Sequence, residues 1–203
     1  MGLTDEAPAT GRDAGAAKRE LRGKVLAARD GLGEAAIARL SAAICARAIE
    51  LPEMQAARTL MLVASFRSEI QTAPLIDWAL ERGSRVCLPR ILGKRHMEAF
   101  LVADPATDLV PGSWGIPEPR EDLPLVSPRE IDLVLVPGSV FDETGGRCGY
   151  GGGFYDNFLP RTRPGVPRVS LALEQQIVPD VPAETHDLTV DVIVTETRVI
   201  RPG

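Results

Sequence analysis

The chain has 203 residues, of which 44% are hydrophobic and 25% are charged, a composition typical of a globular domain and not of a disordered chain. Its formal net charge of −5 argues against broad, non-specific binding to nucleic acid. A small anionic ligand would therefore have to be held by local cations and backbone N–H groups. The three cysteines are far apart and form no CxxC pair, which indicates reduced thiols in a cytoplasmic protein rather than a zinc site or disulfide framework.

Residues 1–15 are mostly small and polar, and we expect them to form a flexible N-terminal tail. This segment lacks the hydrophobic stretch of a secretory signal. No apolar run in the chain approaches the ~18 residues that a membrane helix requires. Residues 16–203 are predicted to form a single α/β domain, because the chain is too short for two independent cores.

Helical patterns are predicted at three places in the first half of the chain. Residues 16–30 place Leu21 and Val25 on one face, while Lys18 and Arg22 project together because they are four positions apart. Two further helices are predicted at residues 34–50 and 73–83, where Pro52 and Gly83 mark their ends.

Continuous apolar runs predict strands that are buried on both faces of a sheet, and a more alternating run predicts an exposed strand at 96–102. Alternation of strands with helices predicts an α/β three-layer sandwich with a central, largely parallel sheet covered by helices on both faces. Ligands bind beyond the carboxyl ends of strands in such sheets. We therefore expect the site in the loops that follow 62–65, 135–137 and 171–173. The predicted buried strands are 59–65, 84–89, 131–138, 169–174 and 190–196.

The loop after the 131–136 strand contains the strongest chemical signal in the sequence. Gly149 and Gly151–Gly153 precede a helical run, so that backbone N–H groups can converge on an anion near the start of a helix. Arg147 adds a cation, and Asp156 is placed to meet a metal ion bound to phosphates. A flexible hairpin with tight glycine turns is the alternative, but Arg147 and Asp156 favour a ligand site. The pattern matches neither a Walker A loop nor the dinucleotide GxGxxG motif.

Five segments of the sequence form an ordered set. They are KRELR at 18–22, SFRSEIQT at 65–72, WGIPEP at 114–119, LVPGSVFDETGGRCGYGGGFYDNFL at 135–159 and THDLTVDVIVTE at 185–196. In this order they resemble the 5-formyltetrahydrofolate cyclo-ligase family. The chain departs from the pattern at Phe154, where many members of the family have tyrosine and its hydroxyl group.

The resemblance implies an enzyme on a NagB/RpiA/CoA-transferase-like fold. Its expected reaction is the ATP- and Mg²⁺-dependent conversion of 5-formyltetrahydrofolate to 5,10-methenyltetrahydrofolate, with release of ADP and phosphate. The reaction would proceed by phosphorylation of the formyl oxygen and attack by N10. The expected partners are small-molecule substrates, and we expect a monomer or small homo-oligomer that binds neither nucleic acid nor membranes.

The resemblance also implies roles for individual residues. It assigns catalysis to Arg147, Lys18 and Glu69, and metal binding to Asp156 and Asp187. The expected ATP-binding residues are Lys18, Arg19, Glu20, Leu21, Arg22, Arg147, Cys148, Gly149, Tyr150, Gly151, Gly152, Gly153, Phe154 and Tyr155. The expected folate-binding residues are Ser65, Glu69, Met97, Trp114 and Tyr155.

Other interpretations of these residues remain open at this point. The alternatives for these residues are structural. Lys18 and Arg22 would lie on an ordinary solvated helix face, Trp114 would seal the core, and Met97 would be a core residue. The functional alternatives are a sugar-phosphate isomerase or acyl-transfer protein on a similar sheet, and a non-enzymatic ATP- or folate-binding regulator. Neither histidine is assigned a catalytic role, although His186 is placed to orient Asp187.

Overall fold

An eight-stranded sheet forms the centre of the molecule, in a computed structural model that describes residues 11–184 and 187–203. Two smaller sheets, of three and two strands, accompany it. In chain order the described strands are β1 (Thr59–Met61), β2 (Arg85–Gly93), β3 (His96–Val102), β4 (Leu109–Pro111), β5 (Pro117–Pro119), β6 (Leu125–Val126), β7 (Leu133–Leu135), β8 (Val140–Asp142), β9 (Arg147–Cys148), β10 (Arg168–Leu171), β11 (Ile177–Val178), β12 (Val192–Val194) and β13 (Val199–Ile200). The described helices are α1 (Gly11–Asp30), α2 (Glu34–Ile49), α3 (Pro52–Ala56), α4 (Ala73–Glu81), α5 (Pro105–Asp108) and α6 (Phe154–Phe158).

The large sheet has the order β13-β12-β10-β7-β1-β2-β3-β6. The strands from β12 to β2 pair in parallel, whereas β13 at one edge and β3 and β6 at the other pair antiparallel. This arrangement confirms the predicted α/β class and the largely parallel sheet. Strand β3 is antiparallel because it returns from β2 through a short hairpin at residues 94–95.

The sheet is buried on both faces, as its continuous apolar strands predict. Successive side chains of a strand point to opposite faces. Leu133 and Leu135 accordingly pack in one core cluster and Val134 in the other. The first cluster includes buried residues of α2, α3 and α4, and the second includes Phe158 of α6. The second face thus carries less helix than expected, because much of the chain between β7 and β10 forms short strands and loops.

Several element boundaries differ from the sequence prediction. Helix α1 begins at Gly11, so residues 11–15 belong to it and not to the predicted tail, while residues 1–10 lie outside the described part of the chain. Strand β1 ends at Met61 although the apolar run continues to residue 65. The chain leaves the sheet after Leu62 and forms a wall of the cleft described below. In the part of the chain that the structure describes, no helix is long and apolar enough to cross a bilayer.

Candidate active site

A large cleft of about 570 Å³ lies at the carboxyl ends of β1 and β7, where the topology of a parallel sheet predicts a ligand site. One wall is formed by α1, a second by the chain between Val63 and Glu69, and a third by the segment from Trp114 to Glu118. The floor is the glycine-rich loop at residues 149–153, which follows β9 and ends where α6 begins. The cleft therefore unites four of the five sequence segments, and Asp187 brings in the fifth.

Helix α1 presents Lys18, Arg22 and Arg29 to the cleft. Spacings of four and seven residues place these three cations on one side of a helix with 3.6 residues per turn. The residues between Lys18 and Arg22 do not line the cleft, and they are therefore not part of the site proposed below. Arg19 and Glu20 are exposed, Glu20 pairs with Lys24, and Leu21 packs beside Val25.

Lys18 is bound by two carboxylates in the described structure. Its Nζ lies 3.1 Å from Oε2 of Glu184 and also donates to Oδ2 of Asp187. Burial by itself lowers the pKa of Lys18, but the hydrogen bonds and charges of Asp187 and Glu184 outweigh it and raise this pKa above its ordinary value. The charge of Lys18 is therefore already balanced within the protein.

Arg147 is a buried cation at the floor of the cleft. Its Nη2 donates to Oδ1 of Asp156 at 2.7 Å, and its Nη1 donates to the carbonyl oxygen of Pro137 at 3.3 Å. The Nε of Arg147 is buried and has no hydrogen-bond partner among the described residues. A buried donor without a partner is costly, so this N–H is suited to a ligand that supplies an acceptor.

The glycine-rich loop exposes a row of backbone donors to the cleft region. The N–H groups of residues 149–153 donate no hydrogen bond to any residue that the structure describes. Gly151 and Gly153 have φ values of 90° and 64°, which side-chain-bearing residues rarely adopt. The loop is held to α1 by Arg22, whose Nη1 donates to the carbonyl oxygen of Gly149 at 3.1 Å. Free N–H groups in a tight turn form an anion-binding concavity.

Glu69 lies on the wall formed by residues 63–69, close to Tyr150 of the glycine-rich loop. Its Oε2 accepts a hydrogen bond of 2.9 Å from the backbone N–H of Phe66, which fixes the carboxylate in place. Arg29 connects this wall to the glycine-rich loop, because its Nε donates to Ser68 and its Nη1 donates to the hydroxyl of Tyr150, each at 3.1 Å. Burial beside the negative charge of Glu69 raises the pKa of Tyr150 above its ordinary value.

Aromatic side chains close the remaining sides. Trp114 is 70% exposed and its ring meets that of Phe154 edge to face, with centroids 6.4 Å apart. The exposed Trp114 side chain argues against the alternative that it seals the core. Tyr155 lines the cleft, yet its hydroxyl oxygen is buried and has no partner among the described residues. Burial raises the pKa of Tyr155, so this group is a neutral donor at physiological pH.

The other predicted residues have varied positions. Met97 is buried and also lines the cleft, so both interpretations of it describe part of its environment. Ser65 faces a smaller neighbouring cavity of about 40 Å³, which shares Glu69 and Tyr150 with the cleft. Nε2 of His96 lies 3.4 Å from Oε1 of Glu98. His186, which was expected to orient Asp187, lies outside the described residues.

Asp156 and Asp187 both line the cleft, but each is paired with a cation. Among the described residues no group of three or more His, Cys, Asp or Glu side chains could hold a metal ion. The donors present are hard carboxylate oxygens, which fit Mg²⁺ only if a ligand supplies most of the coordination shell.

Sequence reasoning missed several residues that line the cleft. Arg29 could have been found from its spacing of seven from Arg22 on a predicted helix. Glu118 lies within the WGIPEP segment and is buried, with its Oε2 3.8 Å from Nη1 of Arg90. Burial raises the pKa of Glu118. Arg67 lies within the SFRSEIQT segment, but no role was assigned to it. Arg95 carried no local signal, because only the folded chain brings it to the cleft.

The fold and the cleft define an α/β protein with a ligand site at the carboxyl edge of its sheet, and comparison with known proteins gives the family. The sequence model of the 5-formyltetrahydrofolate cyclo-ligase family matches residues 14–196. A Schizosaccharomyces pombe protein named as a probable 5-formyltetrahydrofolate cyclo-ligase is 32% identical over 91% of this chain and 97% of its own length. The chain therefore belongs to the 5-formyltetrahydrofolate cyclo-ligase family.

Two further relatives support the assignment. The 5-formyltetrahydrofolate cyclo-ligase of Escherichia coli is 34% identical over 75% of this chain and 86% of its own length. The NMR structure of 5,10-methenyltetrahydrofolate synthetase from Aquifex aeolicus matches with a TM-score of 0.80 and 34% identity. That match covers 91% of this chain and 92% of the Aquifex chain, so the likeness extends over the whole fold.

Proposed function

We propose that this chain catalyses the ATP-dependent cyclisation of 5-formyltetrahydrofolate to 5,10-methenyltetrahydrofolate, with release of ADP and phosphate. Membership of the cyclo-ligase family supports this reaction. The observation that carries it in the structure is the row of unbonded N–H groups at 149–153, which lies in one cleft with Arg147 and Glu69. An anion site and an acceptor for paired N–H groups thus lie within one cavity.

The reaction requires two covalent steps. The formyl oxygen attacks the γ-phosphorus of ATP, so that an O–P bond forms and the bond to ADP breaks. N10 then attacks the activated formyl carbon and loses its proton, and phosphate leaves with the former formyl oxygen. Both steps depend mainly on alignment of the two substrates and on neutralisation of the triphosphate charge.

Glycine-loop N–H groups and nearby cations are the proposed binding site for ATP. The phosphates would accept from the free donors at 149–153, with Arg22 beside them. Arg147 would stabilise charge on the transferring phosphoryl group through its unpartnered Nε, and Lys18 would approach from α1. All of these groups belong to segments that the family resemblance marks.

The folate is proposed to occupy the part of the cleft that Glu69, Trp114 and Tyr155 line. Glu69 would accept paired N–H donors of the pterin ring, because its carboxylate is already oriented by Phe66. Trp114 and Tyr155 would flank the folate rings, and Met97 would pack beside them. This placement brings the formyl group between the Glu69 wall and the phosphate loop.

Incubation of the purified protein with 5-formyltetrahydrofolate, ATP and Mg²⁺ tests the proposal. Methenyl product is expected to form, seen as a new near-ultraviolet absorbance, together with one ADP for each ring closed. Omission of ATP should abolish product formation. Binding of ATP and folate without product would overturn the enzymatic assignment in favour of a regulatory protein.

Tyr155→Phe is expected to separate ligand binding from stability. Removal of a buried hydroxyl that has no protein partner should leave the melting temperature unchanged or higher. The same change should raise KM for 5-formyltetrahydrofolate about tenfold if the substrate completes this hydrogen bond, which corresponds to about 1.4 kcal/mol. Calorimetric melting and steady-state kinetics measure the two effects, and a lower melting temperature with unchanged KM would contradict the role.

The proposed Mg²⁺ site is completed by the nucleotide. Asp156 and Asp187 would contact the ion directly or through water, while phosphate oxygens provide most of its ligands. Since both carboxylates are paired with cations, the divalent ion is expected to bind the free protein at least about tenfold more weakly than the protein with an ATP analogue.

Titration of Mn²⁺, followed by its electron paramagnetic resonance signal, checks this expectation. The analogue alone serves as the reference, and Asp156→Asn serves as the matched variant. Equally tight binding of Mn²⁺ to the protein without nucleotide would show that a protein-built metal site exists.

The proposed setting is the cytoplasm, with small molecules as the only partners. Cys45, Cys87 and Cys148 are buried free thiols, as expected of a protein in a reducing compartment. We propose a monomer or small homo-oligomer, which sedimentation analysis at several concentrations would establish.

A further inference from the structure

Three guanidinium groups lie against alternate glycines of the 149–153 loop. Measured to the position that a Cβ would take on each glycine, Nη1 of Arg147 lies 2.8 Å from Gly149 and Nη1 of Arg22 lies 3.5 Å from Gly151. Nε of Arg95 lies 3.4 Å from the same position on Gly153. The loop is thus bordered by three arginines, two of which the proposed function already uses.

Arg95 is contributed by the turn between β2 and β3, which no sequence motif marks. Its backbone has a φ of 57°, an uncommon value for a residue with a side chain. Its carbonyl oxygen accepts a hydrogen bond of 3.4 Å from Nδ2 of Asn157 in α6. The Asn157 side chain also donates to the carbonyl oxygen of Gly153 at 3.0 Å, so one amide group joins the turn to the end of the loop.

The charge of Arg95 is not balanced by any carboxylate in the described part of the chain. Other arginines near it differ, since Arg90 pairs with Glu121 at 2.7 Å and Arg161 with Glu98 at 2.8 Å. Arg95 also lines the cleft and is exposed, so an incoming anion can reach it.

Part of the positive charge that lines the cleft is neutralised by the protein's own carboxylates. Lys18 is paired with Glu184 and Asp187, and Arg147 is paired with Asp156, so both groups present little net positive charge to a polyanion. The side chains of Arg22 and Arg95 both contact the glycine-rich loop, and neither has a carboxylate partner among the described residues. They supply the uncompensated charge that a triphosphate requires.

We propose that Arg95 binds the triphosphate of ATP, at the Gly153 end of the loop, as a third phosphate-binding arginine. The proposal rests on the proposed function, in that it assumes the nucleotide phosphates lie on residues 149–153. Gly153 suits this position because of its left-handed backbone, and the Arg95 guanidinium packs in van der Waals contact with it. Planar guanidinium groups bind phosphate through paired hydrogen bonds, which an ammonium group does not reproduce.

The experiment compares Arg95→Ala, Arg95→Lys and Arg22→Ala with the unaltered protein. Arg67→Ala is the matched control, because Arg67 is also an exposed, cleft-lining arginine with a φ of 53°, but it stacks on Phe66 at the Glu69 wall. Calorimetry gives the affinities for ATP and AMP, and steady-state kinetics give KM for ATP and for 5-formyltetrahydrofolate.

Arg95→Ala is expected to weaken the binding of ATP about tenfold or more and the binding of AMP much less, since AMP lacks the β- and γ-phosphates. Arg95→Lys should recover only part of this loss. KM for the folate should stay within about twofold, and Arg67→Ala should leave ATP affinity unchanged. The melting temperature of Arg95→Ala should not change, because the side chain is exposed.

Two results would overturn the proposal. Unchanged ATP affinity in Arg95→Ala would remove the residue from the nucleotide site, and a raised KM for the folate alone would assign Arg95 to a carboxylate of that substrate. The Arg22→Ala variant keeps these outcomes apart from failure of the proposed function. If it also binds ATP normally, the nucleotide does not lie on the glycine-rich loop at all.

Discussion

Arg147→Ala is expected to lower kcat by about 10²-fold or more, because it removes the cation that we propose for the transferring phosphoryl group. The Nε of Arg147 is buried and unpartnered in the described structure, and a phosphoryl oxygen is the acceptor that we propose for it. Arg147→Lys keeps the charge but not the fork of donors, and it should recover only part of the rate. Single-turnover measurements would place the loss in the chemical step.

Loss of stability is the main confounding effect in this experiment. Asp156 is paired with Arg147 at 2.7 Å, and its isolation in a partly buried position costs roughly 3 kcal/mol. The double variant Arg147→Ala with Asp156→Asn removes the unpaired charge and should regain much of the melting temperature, while its activity stays well below that of Asp156→Asn alone. Turnover that recovers together with stability would show that Arg147 has only a structural role.

Glu69→Gln is expected to lower kcat/KM for 5-formyltetrahydrofolate by about 10²-fold or more while nucleotide affinity stays nearly constant. The substitution preserves shape but replaces an acceptor with a donor, and a donor opposite the pterin N–H groups proposed to bind there would leave both sides unsatisfied. Calorimetry with ATP and steady-state kinetics with the folate measure the two quantities independently.

Asp30→Asn is the matched control for this variant. Asp30 is a carboxylate that also lines the cleft and accepts from Ser68, but it has no proposed contact with either substrate. The effect of Asp30→Asn on kcat/KM for 5-formyltetrahydrofolate should be about tenfold smaller than the effect of Glu69→Gln. If Glu69→Gln abolished ATP binding and spared folate binding, the two substrates would have to exchange places in the cleft.

The fold class followed from local patterns that have a direct physical cause. The runs at 59–65, 131–138 and 190–196 are apolar at successive positions, and a strand with that pattern is stable only when both faces are covered. Their boundaries were less predictable: β1 ends at Met61 while the apolar run continues, because the chain after Leu62 forms a cleft wall instead of pairing further. The short strands β8, β9 and β11 were missed because two or three residues give no period to detect.

The residues of the candidate site were likewise predicted only in part from the sequence. Lys18, Glu69, Arg147 and the glycine-rich loop were identified by motif, and the structure brings them to one cleft. Arg19, Glu20 and Leu21 were included because they share a segment with Lys18, but helical geometry directs them away from it. A contiguous motif identifies the segment, but the helix geometry determines which residues of that segment line the cleft.

The sequence by itself determined the α/β class, the family and the segments that line the cleft, because strand burial, glycine turns and motif order are local properties of the chain. Tertiary structure alone decided which charges remain available in the cleft. Lys18 pairs with Asp187 across 169 positions of sequence and Arg147 pairs with Asp156, whereas Arg95 reaches Gly153 without a carboxylate partner in the described residues. Such pairings depend on how the sheet brings distant segments together, and a Coulomb interaction depends on distance in space, not on separation along the chain.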